Sequence, residues 1–441
     1  MRDWRERVAA LGLSDAATVR ATETFAGLAQ HLTARGISAA ATGAWWVPGR
    51  IEVLGKHTDY AGGRSLLAAC ERGFHVLAAP RADATIRITD ASSGAMLTIA
   101  LDANAPPRPG HWSDYPIAVA RRIARDFPAT ATGMDAVIQS SLPSAAGLSS
   151  SSALVITTFL PLAAFNHLDD RAEWRSALGS PHAVAGYLGA VENGRTFGPF
   201  AADRGVGTHG GSEDQTAILT CRPGTLSQYH FLPVTLEAEM ALPTDWIFAV
   251  AVSGVHAAKG AGAQAHYNHL AAQTAALLAR WNEIAADHQP SLFAALTSAP
   301  GAARTLSAAL DDAANPALRP RLEQFAAECL TIIPAVAAQL GAGHISEIGP
   351  LVDRSQALAE AALHNQVPET IGLVRQAREL GAAAASAFGA GFGGSVWALV
   401  PSDGATDFLA RWREHYLATW PARTSRADFF LTRPGPAARP I

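Results

Sequence analysis

The stretch that most constrains the fold of this chain runs from Pro48 to Gly63 and reads P-G-R-I-E-V-L-G-K-H-T-D-Y-A-G-G; we call it the first motif. Its beginning alternates polar and apolar residues as a half-buried strand does, and the alternation ends at Gly55. Polar side chains then follow almost together, which no hydrophobic core requires. Such a cluster suits a ligand with many hydrogen-bonding groups, such as a sugar, although a charged surface loop after a strand has the same pattern.

Composition excludes several classes of protein. The chain has 441 residues, which exceeds the usual length of one domain and predicts two. Lys plus Arg number 34 and Asp plus Glu 38, without long runs of one sign, which argues against a nucleic-acid partner. We expect no membrane partner, because no run of about 18 apolar residues is free of charges, Gly or Pro. The N-terminus lacks an apolar signal segment and the three cysteines lie far apart, so we expect a cytoplasmic protein without disulfides or a zinc site.

A second motif, Leu142–Ala153, reads L-P-S-A-A-G-L-S-S-S-S-A and joins a predicted strand at 134–140 to an apolar helix from Leu154. Small residues let the backbone approach a ligand, and the N–H groups at a helix start attract an anion such as phosphate. A serine N-cap with small-residue packing explains the pattern too. No lysine follows, which excludes a Walker P-loop, and the absence of G-x-S-x-G makes a serine nucleophile a poorer interpretation.

Two further stretches are weaker signals. Gly210–Ala217 reads G-G-S-E-D-Q-T-A, and its two acids either begin a helix or lie beside a ligand that the glycines let approach. A third motif, Phe388–Ser395, reads F-G-A-G-F-G-G-S before a predicted strand at 396–400. A tight glycine turn explains the third motif equally well.

The three motifs, in this order, resemble the three motifs of the GHMP small-molecule kinases. The first motif is similar to that of the galactokinase branch, G-R-x-N-x-I-G-[DE]-H-x-D-Y. Supporting matches are Trp112-Ser113-Asp114-Tyr115, Glu192-Asn193, Glu213-Asp214-Gln215 and Tyr267-Asn268. The resemblance therefore extends from Trp45 to Val400.

This resemblance implies an α/β (α+β) fold with two domains and an active site between them. We expect an N-terminal mixed-sheet domain at residues 1–225 and a C-terminal ferredoxin-like domain at 226–441. The implied activity is transfer of the γ-phosphate of ATP to a sugar, at the anomeric C1 hydroxyl of galactose or a close relative, with Mg²⁺. The partners are then ATP and the sugar, and of the oligomeric states we favour a monomer.

The resemblance also implies roles for individual residues. Asp214 is expected as the catalytic base and Arg50 as the cation that lowers its pKa. The implied sugar-binding residues are Arg50, Lys56, His57, Thr58, Asp59, Gly211, Asp214 and Tyr267. The implied nucleotide-binding residues are Pro143, Ala145, Ala146, Gly147, Leu148, Ser149, Ser150 and Ser151, closed from the other side by Gly389–Gly394, with Asp90 as a candidate near the adenine. The implied magnesium ligands are Ser151 and Glu192.

Two departures from the galactokinase pattern leave the sugar open. Glu52 stands where galactokinases have Asn, and Lys56 stands where they have a Glu that faces the O6 hydroxyl of the hexose. A lysine can only donate, and a carboxylate at C6 would compensate its charge better than a hydroxyl, which points to an anionic sugar such as galacturonate. Alternatively, Lys56 pairs with Glu52 and the sugar is neutral.

The reaction itself also has competing interpretations. A catalytically silent sugar sensor with the same fold is the candidate from another class, but the serines of the second motif, Glu192 and Asp214 are all in place and favour a kinase. Other GHMP branches phosphorylate mevalonate or homoserine, and His57-Thr58-Asp59-Tyr60 favours a sugar instead. The loop between Glu192 and Asp214 is longer than in typical galactokinases and is either a lid or surface.

Overall fold

Two β-sheets with helices packed on them make up the protein, whose computed structural model describes residues 2–38, 41–143, 146–255, 261–311 and 313–441. The strands are β1 Gly43–Leu54, β2 Arg64–Pro80, β3 Thr85–Asp90, β4 Met96–Ala100, β5 Met134–Ser140, β6 Thr225–His230, β7 Thr235–Ala241, β8 Trp246–Val252, β9 Ala384–Phe388, β10 Ser395–Pro401, β11 Asp428–Thr432 and β12 Arg439–Pro440. The helices are α1 Arg2–Ala9, α2 Asp15–Thr33, α3 Asp114–Asp126, α4 Ser150–Phe165, α5 Ala172–Ala177, α6 Pro181–Asn193, α7 Glu213–Thr220, α8 Ala261–Ile284, α9 Leu292–Thr297, α10 Ala302–Ala308, α11 Leu318–Ala327, α12 Ile333–Gly341, α13 Gly349–Leu363, α14 Pro368–Glu379 and α15 Ala405–Thr419.

The first sheet is mixed and has the order β12-β1-β2-β5-β3-β4, with β6 and β7 attached through β2. Its pairs are antiparallel except for β3 with β5, which is parallel. The end of the chain returns to this sheet, because Arg439 and Pro440 pair with Trp46 and Trp45 of β1. The strands β6 and β7 span residues 225–241, so the first sheet continues past the expected boundary at residue 225.

The second sheet is antiparallel and has the order β11-β8-β10-β9. Helices separate β8 from β9, and α15 separates β10 from β11, which gives the ferredoxin-like succession of strands and helices. One hydrophobic core joins the two sheets: Trp45 and Ile51 of β1 belong to the same buried cluster as Phe248 and Trp397 of the second sheet. The expected two-part α/β architecture is confirmed.

Most predicted elements agree with the structure. The strand at 134–140 and the strand at 396–400 lie where the sequence places them. The hairpin β6–β7 is not predicted by the sequence, where that region shows only the change of composition expected between domains. Strand β7 has one buried residue and β6 is buried at four successive residues, so the hairpin shows no regular alternation of buried and exposed positions.

One helical stretch, residues 318–341, is long and apolar enough to cross a membrane by length and composition alone. This is weak evidence, because the core helices of globular proteins meet the same criterion. Leu322, Phe325, Ile332 and Val336 are buried in the protein, so this stretch packs as a core element here. A π-helical segment, Glu328–Ile332, interrupts it, and π-helical turns are frequent at functional sites.

Candidate active site

A cavity of about 490 Å³ brings together the stretches that the sequence singled out. Its wall comes from the end of β1, the starts of α4 and α7, the end of α6, helix α8 and the loop between β9 and β10. The expected site residues that line it are Arg50, His57, Asp59, Ala146, Gly147, Ser149, Ser150, Ser151, Glu192, Gly211, Asp214 and Tyr267. Positions far apart in the chain therefore share one pocket.

The second and third motifs pack backbone against backbone. Gly147 has φ +73°, and a Cβ there would lie 3.1 Å from the carbonyl oxygen of Phe388. A Cβ on Gly389 would lie 2.9 Å from the carbonyl oxygen of Gly147, so neither position has room for a side chain. Ser395 donates to the carbonyl of Ala146 and fixes the same segment. The loop is shaped so that its backbone and the start of α4 face the cavity, which suits a polyphosphate.

Arg50 and Asp214 form the most polar part of the cavity. Arg50 Nε donates to Asp214 Oδ1 over 2.8 Å, and Arg50 Nη1 donates to the carbonyl of Gly147 over 2.5 Å. Arg50 is only 4% exposed, whereas the Asp214 side chain is 29% exposed. Burial by itself lowers the pKa of Arg50, but the carboxylates of Asp214, Glu52 and Glu213 outweigh it and raise that pKa. Arg50 is therefore a permanent positive charge that links the first motif, the second motif and Asp214.

A serine hydroxyl connects the two acids at the ends of α6 and α7. Ser152 Oγ lies 2.7 Å from Glu192 Oε2 and 3.2 Å from Asp214 Oδ2. Gln215 Nε2 also donates to Glu192 Oε2, over 2.7 Å. Sequence reasoning misses Ser152, because a run of four serines does not show which hydroxyl turns toward the carboxylates. Ser151, which is expected there, lines the cavity next to it.

This cluster fits a magnesium ion bound together with a nucleotide. Among the described residues, no group of three or more His, Cys, Asp or Glu is arranged to hold a metal ion on its own. Mg²⁺ is usually held by one or two carboxylates together with the phosphates of the substrate, and it prefers oxygen ligands. Glu192, Ser151 and Ser152 supply oxygens of this kind at the second motif, so these residues could hold the ion.

His57 is held in one tautomer by a chain of hydrogen bonds. Its Nε2 lies 3.2 Å from the carbonyl oxygen of Ala390, which can only accept, so Nε2 carries the proton. Its Nδ1 then accepts from the Tyr60 hydroxyl at 3.2 Å, and that oxygen accepts from Arg321 Nη2 at 3.1 Å. Burial, and then the charge of Arg321, lower the pKa of His57 to about 3. His57 is thus a neutral ring that ties the first motif to the third.

Asp59, Gly211 and Tyr267 form a compact group beside His57. Asp59 Oδ2 accepts from the backbone N–H of Glu213 at 3.1 Å, and burial raises the pKa of Asp59. A Cβ on Gly211 would lie 2.3 Å from Asp59 Oδ2, so this position requires glycine. The ring of Tyr267 lies 5.0 Å from that of His57. Their polar and aromatic faces together match the recognition of a sugar ring.

Two expected sugar-binding residues do not line the cavity. Thr58 is fully buried, and its hydroxyl donates within the turn to the carbonyls of Gly55 and Arg64. Lys56 is 1% exposed, and its Nζ lies 2.7 Å from Ser386 Oγ. The geometry corrects both predictions: Lys56 is buried against Ser386 of the second sheet, Thr58 is buried within the turn after Gly55, and neither side chain lines the cavity.

The adenine side also differs from the expectation. Asp90 does not line the cavity; its carboxylate accepts from the N–H of Ser92 and the hydroxyl of Ser93 in the hairpin turn after β3. The aromatic side chains of Phe74, Trp112 and Tyr115 do line the cavity. Of the expected phosphate-binding residues, Pro143 and Leu148 do not line the cavity, and Ala145 lies outside the described residues.

The long loop between Glu192 and Asp214 is anchored along its length. Arg121 forms an ion pair with Asp203, and Arg125 donates to the carbonyls of Ala201 and Ala202. Nearer the cavity, Asn193 Oδ1 accepts from Thr208 and from the N–H of Gly210, both at 2.9 Å. These contacts show a loop held on the protein body, and its end shapes the approach to Gly211.

Sequence models of known families match three separate parts of the chain. The galactokinase galactose-binding signature matches residues 34–80, the GHMP kinase N-terminal domain residues 114–187 and the GHMP kinase C-terminal domain residues 333–418. In these three parts the chain is similar to the GHMP kinases. The matched parts contain the first motif, the second motif and the third motif in turn.

Individual relatives of this chain are galactokinases. That of Lactiplantibacillus plantarum is 32% identical over 117 residues, which is 26% of this chain and 30% of the relative. That of Streptococcus mutans is 36% identical over 109 residues, 24% of this chain and 28% of the relative. The sequence match thus spans about a third of the length of these curated relatives.

Solved structures extend the likeness of the fold to nearly the whole chain. Lactococcus lactis galactokinase complexed with galactose superposes with a TM-score of 0.79 at 20% identity, covering 94% of this chain and 99% of that one. Mevalonate kinase of L. major in complex with R-mevalonate gives a TM-score of 0.54 at 15% identity, covering 89% and 96%. At these identities the likeness establishes the fold of this chain and no more.

Proposed function

We propose that this protein is an ATP-dependent sugar kinase that transfers the γ-phosphate of ATP to the C1 hydroxyl of galactose or a close relative. The observation that carries the proposal is the position of Asp214. Its carboxylate is anchored to Arg50 over 2.8 Å and to Ser152 over 3.2 Å, between the second motif and the group around His57 and Asp59. The galactokinase relatives support the same reaction.

In this mechanism Asp214 accepts the proton of the attacking sugar hydroxyl. A fixed positive charge on Arg50 favours the ionised carboxylate that a general base needs. Phosphoryl transfer depends mainly on in-line positioning and on compensation of negative charge. The backbone of the second motif and the start of α4 position the phosphates, and Asp59, His57 and Tyr267 orient the sugar.

Magnesium, bound with ATP, would be held by Glu192 and by the hydroxyls of Ser151 and Ser152, and would compensate the charge of the phosphates. The bonds from Gln215 and Ser152 to Glu192 Oε2 keep this carboxylate directed at the second motif. Removal of Mg²⁺ by a chelator should therefore abolish turnover. We also propose that the enzyme is a cytoplasmic monomer.

The anionic-sugar alternative loses its main support, because it required Lys56 to face the ligand. Lys56 Nζ instead bonds to Ser386 at the far side of the first motif. A silent sensor is disfavoured by the assembled group of Asp214, Ser152 and Glu192, which sugar binding alone does not need. We therefore retain the neutral sugar.

The test is an ATP-consumption assay with galactose, other neutral hexoses, pentoses, galacturonate, mevalonate and homoserine, with the product identified by ³¹P NMR. We expect turnover with galactose or a close neutral relative. Asp214→Asn should lower kcat by about a thousandfold while ATP and sugar still bind, because it removes only the base. Asp83→Asn, an exposed surface acid, is the matched control. Near-full turnover in both Asp214→Asn and Arg50→Ala would refute the mechanism, and sugar binding without any ATP consumption would indicate the sensor.

A further inference from the structure

Glu52 is a buried acid that lines the cavity and is not fully satisfied by the protein. It is 4% exposed and lies two residues after Arg50 on the same face of β1. Its Oε2 accepts from the N–H of Gly389 at 3.3 Å and lies 3.7 Å from Arg50 Nη2. Within the described part of the chain, its Oε1 has no hydrogen-bond donor. A buried carboxylate oxygen without a donor is costly, so a ligand that supplies one gains affinity.

A second carboxyl group lies beside Glu52 in the same wall. Glu213 is 5% exposed and lines the cavity; its Oε2 accepts from Ser65 over 2.6 Å and its Oε1 lies 3.7 Å from Arg50 Nε. Burial raises the pKa of Glu52 to about 7, against the attraction of Arg50 and Lys56. Burial, and then the charge of Glu52, raise the pKa of Glu213 well above its usual range. Both acids are therefore harder to ionise than exposed carboxyl groups.

Lys56 compensates the negative charge of Glu52 but does not line the cavity. Its Nζ donates to Ser386 at 2.7 Å and lies 3.5 Å from Ser355, whose hydroxyl donates to Glu328 at 3.0 Å. Lys56 is buried by these contacts and does not line the cavity. Its charge favours the ionised form of Glu52, and the lysine is not available to a ligand.

In the described part of the chain, Arg50 is the only Lys or Arg that lines this cavity, and protein groups already engage it. Arg50 is committed to Asp214 and to the carbonyl of Gly147, and Lys56 lies behind the first motif. The carboxyl groups of Glu52, Glu213 and Asp59 face the same part of the cavity. Like charges in a buried site repel strongly, whereas an O–H or N–H donor would satisfy Glu52.

We infer that the Glu52–Glu213 pair selects the sugar: Glu52 accepts a hydrogen bond from a hydroxyl or amino group and excludes a sugar that carries a carboxylate there, while Lys56 is its buried counter-ion. This inference rests on the proposed function, since it names the substrate class of that same site. The residue that determines sugar specificity is then Glu52, two residues after Arg50, and not Lys56.

The first experiment measures Kd by calorimetry, and kcat and KM by ATP consumption, for galactose, galactosamine and galacturonate. Wild-type protein should prefer galactose or galactosamine over galacturonate. A preference for galactose would identify a hydroxyl as the donor to Glu52, and a preference for galactosamine would identify an amine. Glu52→Gln should raise the KM of the preferred sugar about tenfold and leave kcat within about threefold of the wild-type value. The ratio of kcat/KM for the preferred sugar to kcat/KM for galacturonate should fall at least about tenfold. Glu239→Gln, on the exposed side of β7, should change none of these values.

Equal changes for all three sugars would overturn the inference, because a purely structural role of Glu52 does not discriminate between substrates. A wild-type preference for galacturonate would overturn it as well. Binding of a sugar without turnover would refute the proposed function alone, and the Kd values of Glu52→Gln would still decide the inference. Failure to bind any of the three sugars would overturn both.

A double-mutant cycle separates the roles of Glu52 and Lys56. Lys56→Met should weaken sugar binding in the wild-type background, because Glu52 loses its counter-ion, and should have little effect in the Glu52→Gln background. Equal losses in both backgrounds would mean that Lys56 contacts the sugar itself, and would overturn the assignment. If Lys56→Met does not fold, Ser386→Ala, which removes only the hydroxyl partner of Lys56, should give the same pattern more weakly.

Discussion

The first and second motifs line the same cavity but are held in place by different means. The second motif is fixed by close backbone packing: Gly147 lies against Phe388 and Gly389, and Ser395 bonds to the carbonyl of Ala146. The first motif is fixed by side chains from helices in the second half of the chain. These are Arg321 to the carbonyl of His57, Gln324 to that of Lys56 and Glu328 to the N–H of Gly55.

The difference suggests where this family can vary. A loop shaped by its own backbone tolerates little change, since almost any side chain at its glycines would displace the phosphates. A motif anchored through its backbone from outside can exchange its side chains and keep its shape. Both departures from the galactokinase pattern, Glu52 and Lys56, lie in the first motif, which is the part that faces the sugar.

The largest effect that tests this comparison is expected at Gly147. Gly147→Ala should lower kcat/KM for ATP by about a hundredfold, because the new Cβ displaces the phosphate-binding backbone while the sugar Kd stays unchanged. Gly94→Ala is a matched control: Gly94 has φ +71°, similar to +73° at Gly147, but nothing lies within 4 Å of its Cβ. Gly147→Ala should lose more stability than Gly94→Ala, measured by urea unfolding, and only Gly147→Ala should lose activity. Equal losses of activity would mean that backbone strain, not contact with the third motif, explains the effect.

A smaller and opposite effect is expected at Arg321, which is fully buried and bonds to the His57 carbonyl and the Tyr60 hydroxyl. Arg321→Leu should raise the sugar KM about tenfold with the ATP KM unchanged, because it releases the first motif only. Arg375→Gln, at an exposed position of α14, is the control. If the ATP KM rose as much as the sugar KM, the two motifs would not be held independently.

The smallest effect concerns pH. The pKa of His57 falls from its ordinary value of 6.5 to about 3 in the folded protein, so the unfolded chain binds a proton first as pH falls. The stability that neutral His57 contributes is complete above pH 6.5 and is lost below it, by about 1.4 kcal/mol per pH unit. The difference in unfolding free energy between wild type and His57→Gln should therefore shrink from pH 7 to pH 5 in urea titrations.

Glu52 should show the opposite sign. Its pKa is raised from 4.5 to about 7, so ionised Glu52 destabilises the folded state. This destabilisation disappears as pH falls from 7 to 4.5, because the folded protein binds the proton first. Wild type should gain stability relative to Glu52→Gln over that window. Parallel curves for wild type and both variants would mean that neither group titrates differently in the folded protein.

The sequence predicts which stretches of the chain come together. It predicts less well which of their side chains point into the cavity. The motifs, the fold and the pairing of Arg50 with Asp214 follow from local patterns and from the resemblance. The burial of Lys56 depends on Ser386 and Ser355, more than 290 residues away, which no pattern around Lys56 reveals. Arg321 and Glu328 lie in a helical region without a motif, and Ser152 in a run of equal serines. Such contacts are set by tertiary packing alone.

The return of the chain to its first sheet has a consequence for biosynthesis. Strand β1 is bordered on one side by Arg439 and Pro440, and the N–H of Gly435 bonds to the carbonyl of Ala69 in β2. That edge of the first sheet stays open until residue 440 has left the ribosome, although β1 emerges nearly four hundred residues earlier. Folding during translation can therefore begin with the first sheet but cannot finish it, and an unpaired edge of a long buried strand is exposed in the interval.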